Sequence, residues 1–242
     1  MNKGNYDPTR KQLNFEIAPG GKVGPIDTSR NIPERMADIL ERRGIKDPNE
    51  GLAEPKYRTV VNIIFGGSRE RMQELAFGTQ QVDFEKGADN THIERKRDIE
   101  RWAKDVYSFV CGKYGEQNVT AFIVHLDELN PHIHCTLLPI KDGRFAYKDI
   151  FAGKDKFEYS ARMKQLHTDF FAEVNTKWEC REDRAFPKRV HGTGRPRSTV
   201  VCCQKSVRQS RRISAGTRKC WPNFNRTYGW QNAGQRSYDN GR

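Results

Sequence analysis

Three of the six histidines fall within ten residues of one another, in the segment VHLDELNPHIHCTLLP that runs from Val124 to Pro139. His132 and His134 are two apart in a β-branched, apolar context. A strand there would send both imidazoles to the same face. His125 ends the preceding apolar run, and the polar connection from Leu126 to Pro131 folds it back beside the pair. Three neutral imidazoles converging on one point make a site for a divalent cation with open positions for substrate oxygens. Asp127 and Glu128 add carboxylates at its rim, able to orient a ligand histidine or to take a proton. A lone His-x-His pair is more often a structural feature of paired strands. A third histidine and two acids in the same hairpin tip the balance toward a site. His92 and His167 stand alone and read as surface residues.

The elements that must position this cluster alternate between helix and strand. Asn31–Arg43 reads as a helix with Ile32, Met36, Ile39 and Leu40 on one side and Gly44 as its stop. Tyr57–Phe65 is β-branched and aromatic and closes on Gly66-Gly67, which predicts a buried strand. Helices are expected over Ser68–Phe77, with Ser68 as a cap, over Lys96–Tyr114, with a stripe of Ile99, Trp102, Val106 and Val110, and over Asp155–Asn175, with Phe157, Met163, Leu166, Phe170 and Val174. Val119–Leu126 and His132–Ile140 read as strands, and Lys141-Asp142-Gly143 as a turn. The sum is an α+β fold, a mainly antiparallel sheet with helices packed on it.

Composition narrows the class further. The chain has 242 residues, enough for one good-sized core, and 13 Phe argue against disorder throughout. No apolar run approaches the roughly 18–20 residues of a membrane span. The opening MNKGNYDPTR lacks the apolar stretch of a signal peptide, so the expected location is cytoplasmic, with no membrane partner. A net charge of +12 ordinarily points to a polyanion, but +11 of it lies in residues 179–242. The cysteines divide likewise, with Cys111 and Cys135 in the body and Cys180, Cys202, Cys203 and Cys220 in the tail. None forms a CxxC pair and no export signal is expected, which argues against a disulfide framework and leaves zinc binding in the tail without a pattern.

The pattern His125-x-Asp127-Glu128-x-x-Pro131-His132-x-His134 resembles the third motif of plasmid mobilisation relaxases of the Mob/Pre (MobV) type. They belong to the nucleases named for a His-hydrophobic-His pair, here His132-Ile133-His134. The stretch from Asn5 to Phe15, with Asn5, Arg10 and Leu13-Asn14, resembles that family's second motif, and the likeness runs on to Trp178. The resemblance implies a metal-dependent DNA relaxase acting in plasmid or transposon mobilisation. Such an enzyme nicks single-stranded DNA at an origin of transfer by transesterification and keeps the 5′ end covalently. It implies His125, His132 and His134 as ligands of Mn, Mg, Zn, Ni or Co, a catalytic role for Asp127 and Glu128, and DNA contacts from Asn5, Arg10 and Asn14.

Two departures from the family pattern shape the expectation. The family's nucleophile precedes the second motif, whereas only Met1–Gly4 stand ahead of Asn5. The chain is therefore expected to be a catalytic domain over 1–178 that lacks its N-terminal motif, keeping metal binding but not strand cleavage. From Arg181 helical and strand periodicity disappear, giving an irregular basic tail over 179–242 that reads as disordered or frameshift-derived. Val200-Val201-Cys202-Cys203 admits codons that, shifted by one frame, read Arg-Met-Leu, as in the segment that follows the family's catalytic domain. Two other readings compete. One is a non-catalytic DNA-binding remnant; the other is an unrelated hydrolase whose three-histidine metal site activates water.

Overall fold

In the computed structural model, residues 6–180 are described, together with the backbone of Val200–Cys203. The described residues lie in one compact unit. A short 3-10 helix, Pro8–Leu13, leads into a hairpin of β1 (Phe15–Ala18) and β2 (Lys22–Gly24). Then follow α1 (Ile32–Arg42), β3 (Val61–Phe65), α2 (Arg69–Phe77) and α3 (Arg97–Tyr114). Next come β4 (Val119–His125), β5 (His132–Leu137) and a small hairpin of β6 (Ile140–Lys141) and β7 (Arg144–Phe145). Helix α4 (Lys156–Phe170) runs on into a wide helical turn, Phe171–Asn175. Strand β8 is Val200–Cys203.

The main sheet has the order β2-β1-β4-β5-β3-β8, with every neighbour antiparallel. The expected α+β class, a mainly antiparallel sheet with packed helices, is what the structure shows. One sheet face carries Phe15, Ile17, Val61, Ile63, Phe65, Phe122, Val124, Ile133, Cys135 and Leu137, all buried in one cluster with Met72, Trp102, Val106 and Phe170 of the helices. That burial supplies the main drive for folding, since apolar area removed from water stabilises by about 25 cal/mol per Å².

Alternation sends the other face of the same strands elsewhere. Glu16, Ile123, His125, His132 and His134 share it, because Glu16 pairs with Ile123, Ile123 with His134 and His125 with His132. Helix α1 is tied to this face by Arg35, which forms a buried ion pair with Glu16 and donates to the carbonyl of Asp27 at 2.6 Å. A second small core of Met36, Ile39, Leu40, Val60, Leu138 and Ile140 lies beneath α1. Asn31 caps α1 in a capping box with Glu34, which explains why the helix starts where the sequence places it.

The elements depart from expectation at several points. The β1–β2 hairpin was not anticipated; Gly20 and Gly21 turn it with positive φ. Ser68 precedes α2 but makes no side-chain cap bond. Phe157 was placed on the apolar stripe of α4 and is 73% exposed. Strand β5 ends at Leu137, before Pro139, which has no N–H for a ladder. The 141–143 turn is real, with Asp142 and Gly143 both at positive φ between β6 and β7. Within the tail expected to be irregular, Val200–Cys203 pairs with β3. The rest of the tail expectation lies outside the described residues beyond Cys180.

Candidate metal centre and its scaffold

The site stands where the two central strands meet their connecting loop. His125 is the last residue of β4, and His132, the first of β5, lies directly opposite it in the register. His134 follows two residues on, on the same face, with Ile64 of β3 as its other neighbour. The three rings therefore converge. Centroids are 5.5 Å apart for His125 and His132, 4.9 Å for His125 and His134, and 4.7 Å for His132 and His134.

His132 is fixed by a 2.8 Å bond from Nδ1 to the carbonyl of Asn130, which leaves Nε2 as an acceptor. That Nε2 lies 2.8 Å from Nε2 of His134. The rings of His132 and His134 stand neutral. Burial pushes His134 down to about 2, with His132 and His125 adding to the effect. Burial also lowers His132, opposed in part by the carboxylate of Glu128. Neutral imidazole is the form that ligates a cation.

The donor set suits a divalent ion, but the rings are closed on one another. No group of three His, Cys, Asp or Glu among the described residues has the spacing of a finished metal site. The Nε2 pair at 2.8 Å is also closer than two ligands of one ion, since imidazoles bound at about 2.1 Å keep their nitrogens roughly 3.0–3.4 Å apart. A parting of about half an ångström, within the reach of small χ adjustments, would open the position between them.

Of the two acids, Asp127 is buried and Glu128 half-buried. Asp127 Oδ1 lies 3.6 Å from Nδ1 of His125, longer than a hydrogen bond, and is one of the few buried oxygens without a hydrogen-bond partner. Burial pushes the Asp127 carboxyl up, but the His125 and Asn14 side chains facing it more than offset this and hold it below the ordinary carboxylate value. This geometry suits an orienter of His125. Glu128 is the more accessible carboxylate, and its charge acts on His132.

Arg10 and Asn14, expected to reach DNA, point inward. Arg10 is 2% exposed, and its guanidinium donates to the carbonyl of Leu126 and lies 5.3 Å from each of the Phe77 and Phe84 rings. Asn14 Oδ1 accepts the amides of Leu126 at 2.6 Å and Asp127 at 3.2 Å. Asn5 lies outside the described residues.

Sequence reasoning missed Asn90, which is wholly buried in the α2–α3 connection and donates to Asp7 at 2.8 Å and to the carbonyl of Asp83 at 2.7 Å. Its amide also donates to Thr9 Oγ1. A solitary Asn in a polar link carries no sequence signal of this kind. His92 is exposed, as expected.

A family profile described as "Plasmid recombination enzyme" matches residues 76–184, which include the three histidines and both acids. A plasmid recombination enzyme type 1 of Staphylococcus aureus is 37% identical over 81 residues, 33% of this chain and 19% of the relative. A plasmid recombination enzyme of Bacillus thuringiensis is 31% identical over 90 residues, 37% of this chain and 19% of the relative. The matches thus span about a fifth of these relatives' length.

Among solved structures, the Mn-bound MobM relaxase domain in complex with plasmid pMV158 oriT DNA aligns with a TM-score of 0.53 and 20% identity. The alignment covers 80% of this chain and 83% of that one. A second Mn-bound structure of the same complex gives 0.51 and 18%, covering 73% and 74%. At these identities the likeness is one of fold. Residues 76–184 thus carry Mob/Pre family sequence on a fold shared with the MobM relaxase domain, and the family resemblance read from the histidine motif holds.

Proposed function

We propose that this chain is the catalytic domain of a Mob/Pre-type DNA relaxase, with residues 1–178 as that domain and single-stranded DNA at an origin of transfer as its substrate. The observation that carries the reading is the convergence of three imidazoles where the central strands β4 and β5 meet their connecting loop, inside the segment that matches the family. His125, His132 and His134 would hold a divalent ion through ring nitrogens. When bound, the ion polarises the scissile phosphate and stabilises its developing charge.

Asp127 keeps His125 in orientation, and Glu128 stands at the open rim, able to accept or return a proton. In the nicking step a protein side chain attacks phosphorus and forms a new bond to it. The bond to the 3′ oxygen breaks, that oxygen leaves with a proton, and the 5′ end stays on the protein. Manganese is the first ion to test, because the MobM relatives of similar fold are Mn-bound; imidazole donors also suit Zn, Ni and Co. A cytoplasmic location accords with this reading. Among the described residues no helix is long and apolar enough to cross a membrane.

The test mixes the chain with Mn²⁺ and a labelled single-stranded oligonucleotide carrying the cognate origin. The expected result is a cut strand and a protein–DNA adduct that survives denaturation once the family's first motif is supplied ahead of residue 1. DNA binding without an adduct overturns the enzymatic reading in favour of a DNA-holding domain. Multiple-turnover cleavage without an adduct overturns it in favour of a hydrolase that activates water.

A further inference from the structure

The segment from Asp7 to Asn14 grips the backbone of the loop that follows β4. Asn14 Oδ1 takes the amides of Leu126 and Asp127. Arg10 Nη1 donates to the carbonyl of Leu126, and the amide of Asp7 donates to the carbonyl of Asp127 at 2.6 Å. Every backbone N–H and C=O of Leu126 and Asp127 is therefore satisfied by one short segment more than a hundred residues away in sequence. A loop leaving a sheet ordinarily gives these groups to water. A second strand-like contact, between Tyr6 and Glu128, extends the grip by one residue.

The gripping residues are themselves locked. Arg10 Nε bonds Asp7 Oδ2 at 3.0 Å, and the same carboxylate receives Asn90 Nδ2. The other oxygen of Asp7 takes the amide and hydroxyl of Thr9 at 2.8 and 2.6 Å. Burying a guanidinium is costly unless it is paired and hydrogen-bonded. Arg10 meets both conditions and faces protein on all the sides these contacts define. An arginine kept for a DNA phosphate has no use for such burial.

We propose that Arg10 and Asn14 are positioning residues that set His125 against the His132–His134 pair, and that they do so through the Leu126–Asp127 backbone rather than by touching DNA. This rests on the reading of the three histidines as the ion site. His134 lies inside β5, between two paired strands, and His132 is tied to Asn130. His125 is the terminal residue of its strand, and Asp127, whose carboxylate faces its ring, belongs to the gripped loop. The clasp therefore controls the ligand at the end of β4, whose following loop is held by Arg10 and Asn14.

The experiment records long-range ¹H–¹⁵N imidazole spectra and Mn²⁺ affinity for the full chain and for Asn14→Ala. The expected result is shifted and broadened His125 ring signals, with His92 unmoved, and Mn²⁺ affinity lowered on the order of 10- to 100-fold, the range for lost outer-shell partners. Unmoved His125 signals and unchanged Mn²⁺ affinity, with only oligonucleotide binding reduced, would overturn the proposal and restore a DNA-contact role.

Should Asn14→Ala fail to fold, Arg10→Met is read in the same way; it keeps an unbranched side chain beside Phe77 and Phe84 and removes the donor to the Leu126 carbonyl. His125 signals in place in that variant would equally overturn the clasp. An unsubstituted chain that binds no Mn²⁺ sinks the ion-site reading instead, while the His125 signals still decide the clasp.

Discussion

His125 and His132 are direct cross-strand partners, and their rings lie almost parallel, 19° apart with centroids at 5.5 Å. The register of β4 on β5 thus decides the ion site, because a slip of one residue would send His125 and the His132–His134 pair to opposite faces of the sheet. The apolar partners on the opposite face, Val124 with Ile133 and Phe122 with Cys135, forbid that slip. The core and the site are specified by the same alternation.

Asp127 tests how the first ligand is oriented. Replacing it with Asn keeps the shape but removes the charge that faces Nδ1 of His125. Mn²⁺ affinity should fall about 10- to 100-fold while His132 keeps its bond to Asn130. Titration calorimetry on the variant measures this; an unaltered affinity would show that Asp127 does not orient the ring.

Glu16 and Arg35 form the buried ion pair that joins α1 to the site face, with Arg35 Nη2 also 3.2 Å from the second carboxylate oxygen. Glu16→Ala strands a buried guanidinium and should cost about 3–5 kcal/mol in urea unfolding. Glu16→Leu combined with Arg35→Met should recover most of that loss, because the charges then leave the interior together. A double variant as unstable as the single one would contradict this account.

Acid should loosen the N-terminal clasp. Burial raises the Asp7 carboxyl, but bonds from Thr9, Asn90 and Arg10 outweigh it and leave the folded value below 3.8. A depressed folded value means that Asp7 adds stability above 3.8, which is lost as pH falls through the lower folded value. Asp7→Asn should therefore flatten the decline in stability below about pH 4, relative to the unsubstituted chain, when thermal unfolding is followed against pH. Parallel declines for the two proteins would refute the assignment.

The sequence made the central strands and the histidine cluster legible because their information is local. Alternation defines β4 and β5, and the spacing of His132 and His134 reads directly as one face. The α1 boundary was equally local, set by Asn31 and Glu34. The β1–β2 hairpin escaped notice because strands of four and three residues leave too few alternations to see. DNA contacts for Arg10 and Asn14 were what the family resemblance implied, not something their own neighbours in sequence show. The burial of Arg10 and the inward bonds of Asn14 depend on Leu126, Asp127, Phe77 and Phe84 far along the chain, which no window of sequence contains. Asn90 was invisible for the same reason, its partners Asp7 and Thr9 lying 83 and 81 residues away.

The most direct measurement of the central claim is a Mn²⁺ titration of the EDTA-stripped chain, followed by loss of the free-ion signal in electron paramagnetic resonance and repeated on His132→Ala. One ion per chain, with affinity lowered at least about 100-fold by the substitution, is the result predicted here. No binding, or binding that His132→Ala leaves intact, would contradict a metal centre built from His125, His132 and His134.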